Sequence, residues 1–236
     1  MLTARRIHPV TSFILTLNFV FFALEVIQHY AYTKHWPQLG AIGGIRGDVL
    51  DLLGSLDLRR FRAGEYWRAV SAGFLHGGFI HLLMNCWVLW DLGKHCELLL
   101  SKWKFVVAYF ISLLGGSAGS LIGMWHRGVG SSVGASGALC GLVGCLLVYA
   151  IKERHAELRD GLVRWIITIL ILSYLFPNVD QAGHAGGFVA GALFGLTVKD
   201  YISSDAAERW RRPGIACAAL GCVGLGFAIQ HYFSHR

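Results

Sequence analysis

The sequence predicts an all-α, polytopic membrane protein with seven apolar spans. Three observations predict it. Of 236 residues, 55% are hydrophobic and only 15% are charged, against about 25% charged in average soluble proteins. Mean hydropathy is positive, at +0.52, as expected where apolar segments recur at membrane-spanning length. Thirty glycines against four prolines fall within the apolar segments, where small residues let helices approach closely in lipid.

The first span, 11–31, follows Arg5 and Arg6 and ends in "HYAYTKHW". That end offers no small-residue cleavage site, so the segment reads as a membrane helix, not a signal peptide. The connection 32–76 mixes apolar residues with Lys34, Arg46, Arg59, Arg60, Arg62 and Arg68. It is expected to be a structured segment lying in the membrane interface, the plainer reading being a soluble loop. Spans follow at 77–97, 103–125, 134–151, 162–177, 183–201 and 213–233. The fourth to sixth are short, which suits ends buried in protein or lining a wet cavity. Lys94, Lys102 and Lys104 follow span two; Lys152, Arg154, Arg159 and Arg164 follow span four; Lys199, Arg209, Arg211 and Arg212 follow span six. Of the two short connections on the other side, the one after span three holds Arg127 alone and the one after span five holds no Lys or Arg. This asymmetry places the N-terminus in the cytoplasm and the C-terminus outside. It also accounts for the net charge of +7 without nucleic acid: the expected surroundings are a lipid bilayer. Cys86, Cys96, Cys140, Cys145, Cys217 and Cys222 form no CxxC pair and are expected to be small apolar fillers, with no disulfide framework and no metal.

In this topology, spans two, four and six all begin at the outer face. Span two opens with His76, His81 and Asn85, span four with Gly134 and Ser136, span six with Gly183 and His184. At the helical rise, these groups lie on the order of 5–12 Å below the outer boundary. Ser136 alone would be an ordinary packing residue, and His184 or Asn85 alone an ordinary buried hydrogen-bonding one. Polar groups from three helices converging at one depth point instead to chemistry. His81 and Asn85 share a helix face. The stripes Gly137, Gly141, Gly144 and Gly183, Gly187, Gly191, Gly195 are expected to pack spans four and six together, bringing Ser136 within reach of His184. A serine becomes a nucleophile when a base takes its proton, and a neutral histidine can do so. The resulting oxyanion needs donors, for which Asn85, His81 and the backbone N–H of Ser136 are candidates, helped by the helix dipole of span four. Asp180 and Asp91 are the acidic residues nearest in sequence, and neither stands out as a third member. A Ser–His dyad is the preferred arrangement, with no cofactor.

At these residues the chain resembles the rhomboid intramembrane serine proteases. "GASG" around Ser136 is similar to the family's GxSG motif, and "HGGFIHLLMN" (His76, His81, Asn85) to its HxxxxHxxxN pattern. "GHAGGFVAG", with His184, Gly187 and Gly191, resembles the AHxxGxxxG motif, and "EYWR", with Trp67 and Arg68, the WR motif of the first loop. The resemblance covers roughly residues 10–200. It implies a six-helix core to which 213–233 is an addition, with Ser136 as nucleophile, His184 as base, and His81 and Asn85 at the oxyanion. It also implies cleavage of transmembrane substrates near their outer ends. Two positions depart from the family: Gly183 stands where Ala is usual. Cys140 stands where the family often has an aromatic packed on the histidine, which implies a looser hold on His184.

The domain organisation expected is a short cytoplasmic N-terminus (1–10), a catalytic core (11–201) with its interfacial first loop (32–76), and a connection plus extra helix (202–236). The expected partners are single-span or polytopic membrane-protein substrates. The alternative is a catalytically inert rhomboid-like protein that binds transmembrane clients. A metalloprotease lacks HExxH, and His76 and His81, five apart, align poorly. A b-type haem protein would need apposed axial histidines. An α/β-hydrolase would need its serine on a strand–turn–helix elbow. No transit-peptide pattern precedes the first span, which favours a bacterial inner membrane over a mitochondrion.

Overall fold

The computed structural model describes residues 8–38, 44–127, 130–175, 179–198 and 208–235. Helix α1 (Pro9–Thr33) starts on a proline at its first turn and stops where Lys34 turns left-handed, at φ 61°. Proline suits that start because the first helical N–H groups lack intrahelical acceptors anyway. Three short helices follow: α2 (Gly47–Leu53), α3 (Leu58–Arg62) and α4 (Arg68–Ser71). Asp57 caps α3, its carboxylate accepting from the N–H groups of Arg59 and Arg60 at 2.8 and 3.1 Å. The long α5 (Phe79–Arg127) is two helical halves meeting at Ser101, whose φ of 64° and ψ of 159° are not helical. Then come α6 (Ser136–Lys152), α7 (Ala156–Leu175), α8 (Gln181–Thr197) and α9 (Arg211–Ser234).

Each of the seven expected spans falls on one of these helices, spans two and three on the halves of α5. Helices α1, α5 and α9 are long and apolar enough to cross a membrane, and α6 is a shorter apolar helix. The chain is a multi-pass membrane protein. Arg5 and Arg6, the ends of the expected fifth and sixth spans at 176–177 and 199–201, residues 202–207 of the last connection and Arg236 lie outside the described residues. The expected structured first connection is the run α2–α4. It adds an element the hydropathy pattern did not show: β1 (Leu56–Asp57) pairs antiparallel with β2 (Ser131–Ser132), just before α6.

The second half of α5, α6 and α8 form the tightest part of the bundle. A side chain on Gly187 would strike the carbonyl oxygen of Gly137, and one on Gly191 that of Gly141. Glycine is therefore a steric requirement along this seam. At the far end of the same pair, the Lys152 ammonium donates to the carbonyls of Gly195, Leu196 and Val198 at 3.0, 2.8 and 3.3 Å. It thus meets the carbonyls of the last turn and the negative end of the α8 dipole. Helix α7 rests mainly on α6. Helix α9 lies on α5, α2 and α4, with Gly214 against Trp103 and Gly224 against Val70, and the Tyr232 hydroxyl donates to Gln28 Oε1 at 2.7 Å. Cys86, Cys96, Cys140 and Cys145 are buried thiols among these helices.

Gly191→Leu should force α6 and α8 apart and destabilise the fold by at least ~2 kcal/mol, at the upper side of overpacking losses. Gly226→Leu, at an exposed position where an added Cβ would meet nothing within 4 Å, should leave stability unchanged or raised. Thermal unfolding in one detergent checks both.

Candidate functional site

The first turns of α6 and α8 and the start of α5 meet at one end of the bundle. Ser136 is the first residue of α6, where the early backbone N–H groups have no intrahelical acceptors and the helix dipole is positive. His184 sits in the first turn of α8, its helix opened by Asp180, whose carboxylate accepts the Gly183 N–H at 3.0 Å. Because the glycine seam closes the helices, Nε2 of His184 lies 2.8 Å from Ser136 Oγ, in hydrogen-bond contact. Among the described residues nothing hydrogen-bonds Nδ1 of His184. Asp180, four residues earlier, serves the helix end instead. Burial by itself would raise the Asp180 carboxyl, but the Ser120 hydroxyl and Gly183 N–H beside it outweigh that and hold it below the usual carboxylate range. Arg127 Nη2 lies 3.9 Å from it. Asp91 is turned to Lys94, 3.7 Å away.

His81 is boxed in on three sides. The Gly77 N–H points to its Nδ1 at 3.4 Å, which assigns the ring proton to Nε2. The His76 ring meets it edge-on at 5.2 Å. Gly134 faces its Nε2 edge: a side chain there would stand 2.8 Å from His81 Cε1 and Nε2, and 3.8 Å from Ser136 Oγ. Gly134 also has φ +124°, a conformation that glycine adopts without steric penalty. The Nε2 edge of His81 and the serine oxygen thus flank one point. Asn85, 5% exposed, gives one amide hydrogen to the His81 carbonyl at 2.9 Å and keeps a second. Gly137 packs against Gly116 and Gly183.

Trp67 and Arg68 lie behind the site, in the first connection. Arg68 is fully buried. It donates from Nη1 to the carbonyls of Asp51 and Ser55 at 2.8 and 2.9 Å, and from Nε to Glu65 at 2.6 Å. Its guanidinium also lies over the Trp67 ring, 4.8 Å from the centroid. A buried charge with this many acceptors fixes its segment. The segment in turn holds the loop before the serine: the Ala72 carbonyl accepts the Gly134 N–H at 2.9 Å, and Leu56 pairs with Ser132.

Two cavities approach His184. A space of about 30 Å³, a single water's share, is lined by Ser120, Ser132, Ser136, Asp180 and His184. A second, of about 360 Å³, opens between α6, α7 and α8 and is lined by Cys140, Val143, Ile166, Phe188 and His184 among others. Among the described residues, no three His, Cys, Asp or Glu side chains gather as metal ligands. One buried residue against the site was not singled out from the sequence: Glu25 of α1, whose Oε1 accepts the backbone N–H of His76 at 2.9 Å. Its signal was a lone carboxylate in the apolar run "FFALEVIQ".

The Rhomboid domain pattern matches residues 63–201. "RHOMBOID-like protein 5" of Arabidopsis thaliana is 38% identical over 155 residues, covering 64% of this chain and 50% of the relative. "Rhomboid protease GluP" of Bacillus subtilis (strain 168) is 28% identical over 224 residues, 94% of this chain and 42% of the relative. "Rhomboid protease AarA" of Providencia stuartii is 27% identical over 157 residues, 56% of each. The chain spans about half the length, or less, of the first two of these relatives.

Arg68→Ala should destabilise the fold by about 2 kcal/mol or more, since it strips a buried charged donor from several acceptors at once. Arg68→Lys should recover only part of this, because an ammonium lacks the guanidinium fork. Thermal unfolding of both variants measures it.

Proposed function

Because the chain belongs to the rhomboid family, a family that includes named proteases, we propose that it is an intramembrane serine endopeptidase using a Ser136–His184 dyad. The observation that carries this reading is the 2.8 Å contact between Ser136 Oγ and His184 Nε2, at the start of a helix and among buried side chains. His184 takes the serine proton as Oγ attacks the carbonyl carbon of the scissile bond. The tetrahedral oxyanion is met by Nε2–H of His81, the second amide hydrogen of Asn85 and the backbone N–H of Ser136. His184 then protonates the leaving amine, and the peptide bond breaks to leave an acyl-serine. Water, deprotonated by the same histidine, releases the second product and restores Ser136. His184 is positioned by its serine contact and the close α6–α8 seam, and among the described residues nothing engages its Nδ1.

The substrates of this reading are transmembrane segments of membrane proteins, cut near their outer ends. The Lys and Arg asymmetry supports a cytoplasmic N-terminus and a site opening to the outer side. The proposed catalytic core is 11–201, with α9 as an addition to it, in keeping with a family match that ends at residue 201. An inert client binder is the rival reading, and the "-like" name of the Arabidopsis relative keeps it in view. A serine and histidine in hydrogen-bond contact favour the enzyme.

Purified protein should cleave a single-span reporter substrate, with Ser136→Ala and His184→Ala each slowed roughly 10³-fold or more. Unchanged cleavage in both would sink the dyad, and EDTA-sensitive cleavage would point to a metal instead. Cys140→Tyr, which places an aromatic in the cavity beside His184, should raise kcat with little change in KM. A fall in kcat, with the fold intact, would show that the cavity is needed open.

A further inference from the structure

The active site proposed above uses groups from α5, α6 and α8, yet one of its supports comes from α1. Glu25 is 0% exposed, and so is His76, whose backbone N–H it receives at 2.9 Å. A carboxylate in the middle of an apolar helix is costly to bury, and such residues are found where they have a defined task. Apolar packing brings Glu25 there. Phe21 and Phe22, one turn earlier, lie against Phe74 and Phe79, with ring centroids 6.2 and 6.3 Å apart. Those two aromatics bracket the turn that holds His76. Glu25 therefore meets this turn on the same helix face that packs against its two ends.

The turn is the one that boxes in His81. The His76 ring lies edge-on to the His81 ring, 5.2 Å between centroids. The next residue, Gly77, directs its N–H at His81 Nδ1, 3.4 Å away. Its carbonyl accepts from Gly44 and Ile45 at 2.7 and 2.8 Å. Both contacts that set the His81 ring plane and its tautomer come from residues 76 and 77. Beyond that ring are Gly134 and Ser136.

We infer that Glu25 is a positioning residue: by holding the backbone of His76, it fixes the ring plane and Nε2–H direction of His81 at the oxyanion. What it supplies is an acceptor oxygen at one place. The inference rests on the protease reading, because His81 has an oxyanion to meet only if Ser136 attacks a carbonyl.

Two near-isosteric variants separate reach from charge. Glu25→Gln keeps an acceptor oxygen at the same distance and should cleave the reporter with kcat close to wild type. Glu25→Asp keeps the carboxylate but withdraws it by one methylene. Its kcat should fall about 10²-fold, the scale of loss when a reacting group is misplaced by an ångström, with KM little changed. Thermal unfolding measured in parallel removes any variant that has lost its fold. A third readout is the ¹⁵N spectrum of labelled histidines, in which the Asp variant should shift the His81 ring nitrogens and the Gln variant should not. Equal kcat in wild type and Glu25→Asp, with both folded, would overturn the Glu25 role and leave the protease reading standing. A Gln variant as impaired as the Asp variant would also overturn it, since charge and not reach would then matter. Absence of cleavage by the wild type would overturn both.

Discussion

Helices α6 and α8 approach so closely that the carbonyl oxygens of Gly137 and Gly141 on one occupy the space where side chains on Gly187 and Gly191 of the other would stand. Everything at the functional end depends on that approach. Lipid supplies little hydrophobic drive for helix association, so backbone-to-backbone packing has to hold the pair. Once the seam is closed, the first turns of both helices lie side by side, and the 2.8 Å contact of Ser136 with His184 follows from where each residue sits in its own turn. The Lys152 ammonium ties the other end of the same pair. The seam thus fixes where the first turn of α8, and with it His184, lies against α6.

A second layer supports the loop before the serine. Arg68, fully buried, ties the carbonyls of the α2 region. The same connection presents its Ala72 carbonyl to Gly134 and its β1 strand to β2. The left-handed Gly134 is therefore held from behind while its missing side chain leaves room for the His81 ring. The segment expected from the sequence to be structured and interfacial thus sets the backbone just before Ser136. Helix α9 reaches the same segment through Gly224 on Val70, which links a helix outside the family-matched residues to the site's scaffold.

Hydropathy made the helices legible, because a bilayer leaves a backbone few other ways to pair its polar groups. The glycine spacings also disclosed which helices meet, since a one-face stripe has meaning only against a neighbour. Polar residues at the starts of three spans were enough to expect Ser136 near His184. What remained hidden depends on contacts distant in sequence. The pairing of Leu56 with Ser132 involves two residues of each strand and leaves no periodic trace. Glu25 was visible as an odd carboxylate, but its partner is a backbone N–H, which no sequence displays. The space beside Cys140 lies between α6, α7 and α8, and its size depends on how α7 rests on α6, which residue identities do not reveal.

The central claim is that closing the α6–α8 seam turns Ser136 into a nucleophile with His184 as its base. The most direct measurement is intact-mass and peptide-level mass spectrometry of the detergent-solubilised protein after treatment with a fluorophosphonate. A single adduct on Ser136, formed by the wild type and absent when His184 is replaced by alanine in a protein of unchanged thermal stability, is the expected result. No adduct, an adduct on a different serine, or equal labelling of Ser136 without His184 would contradict it.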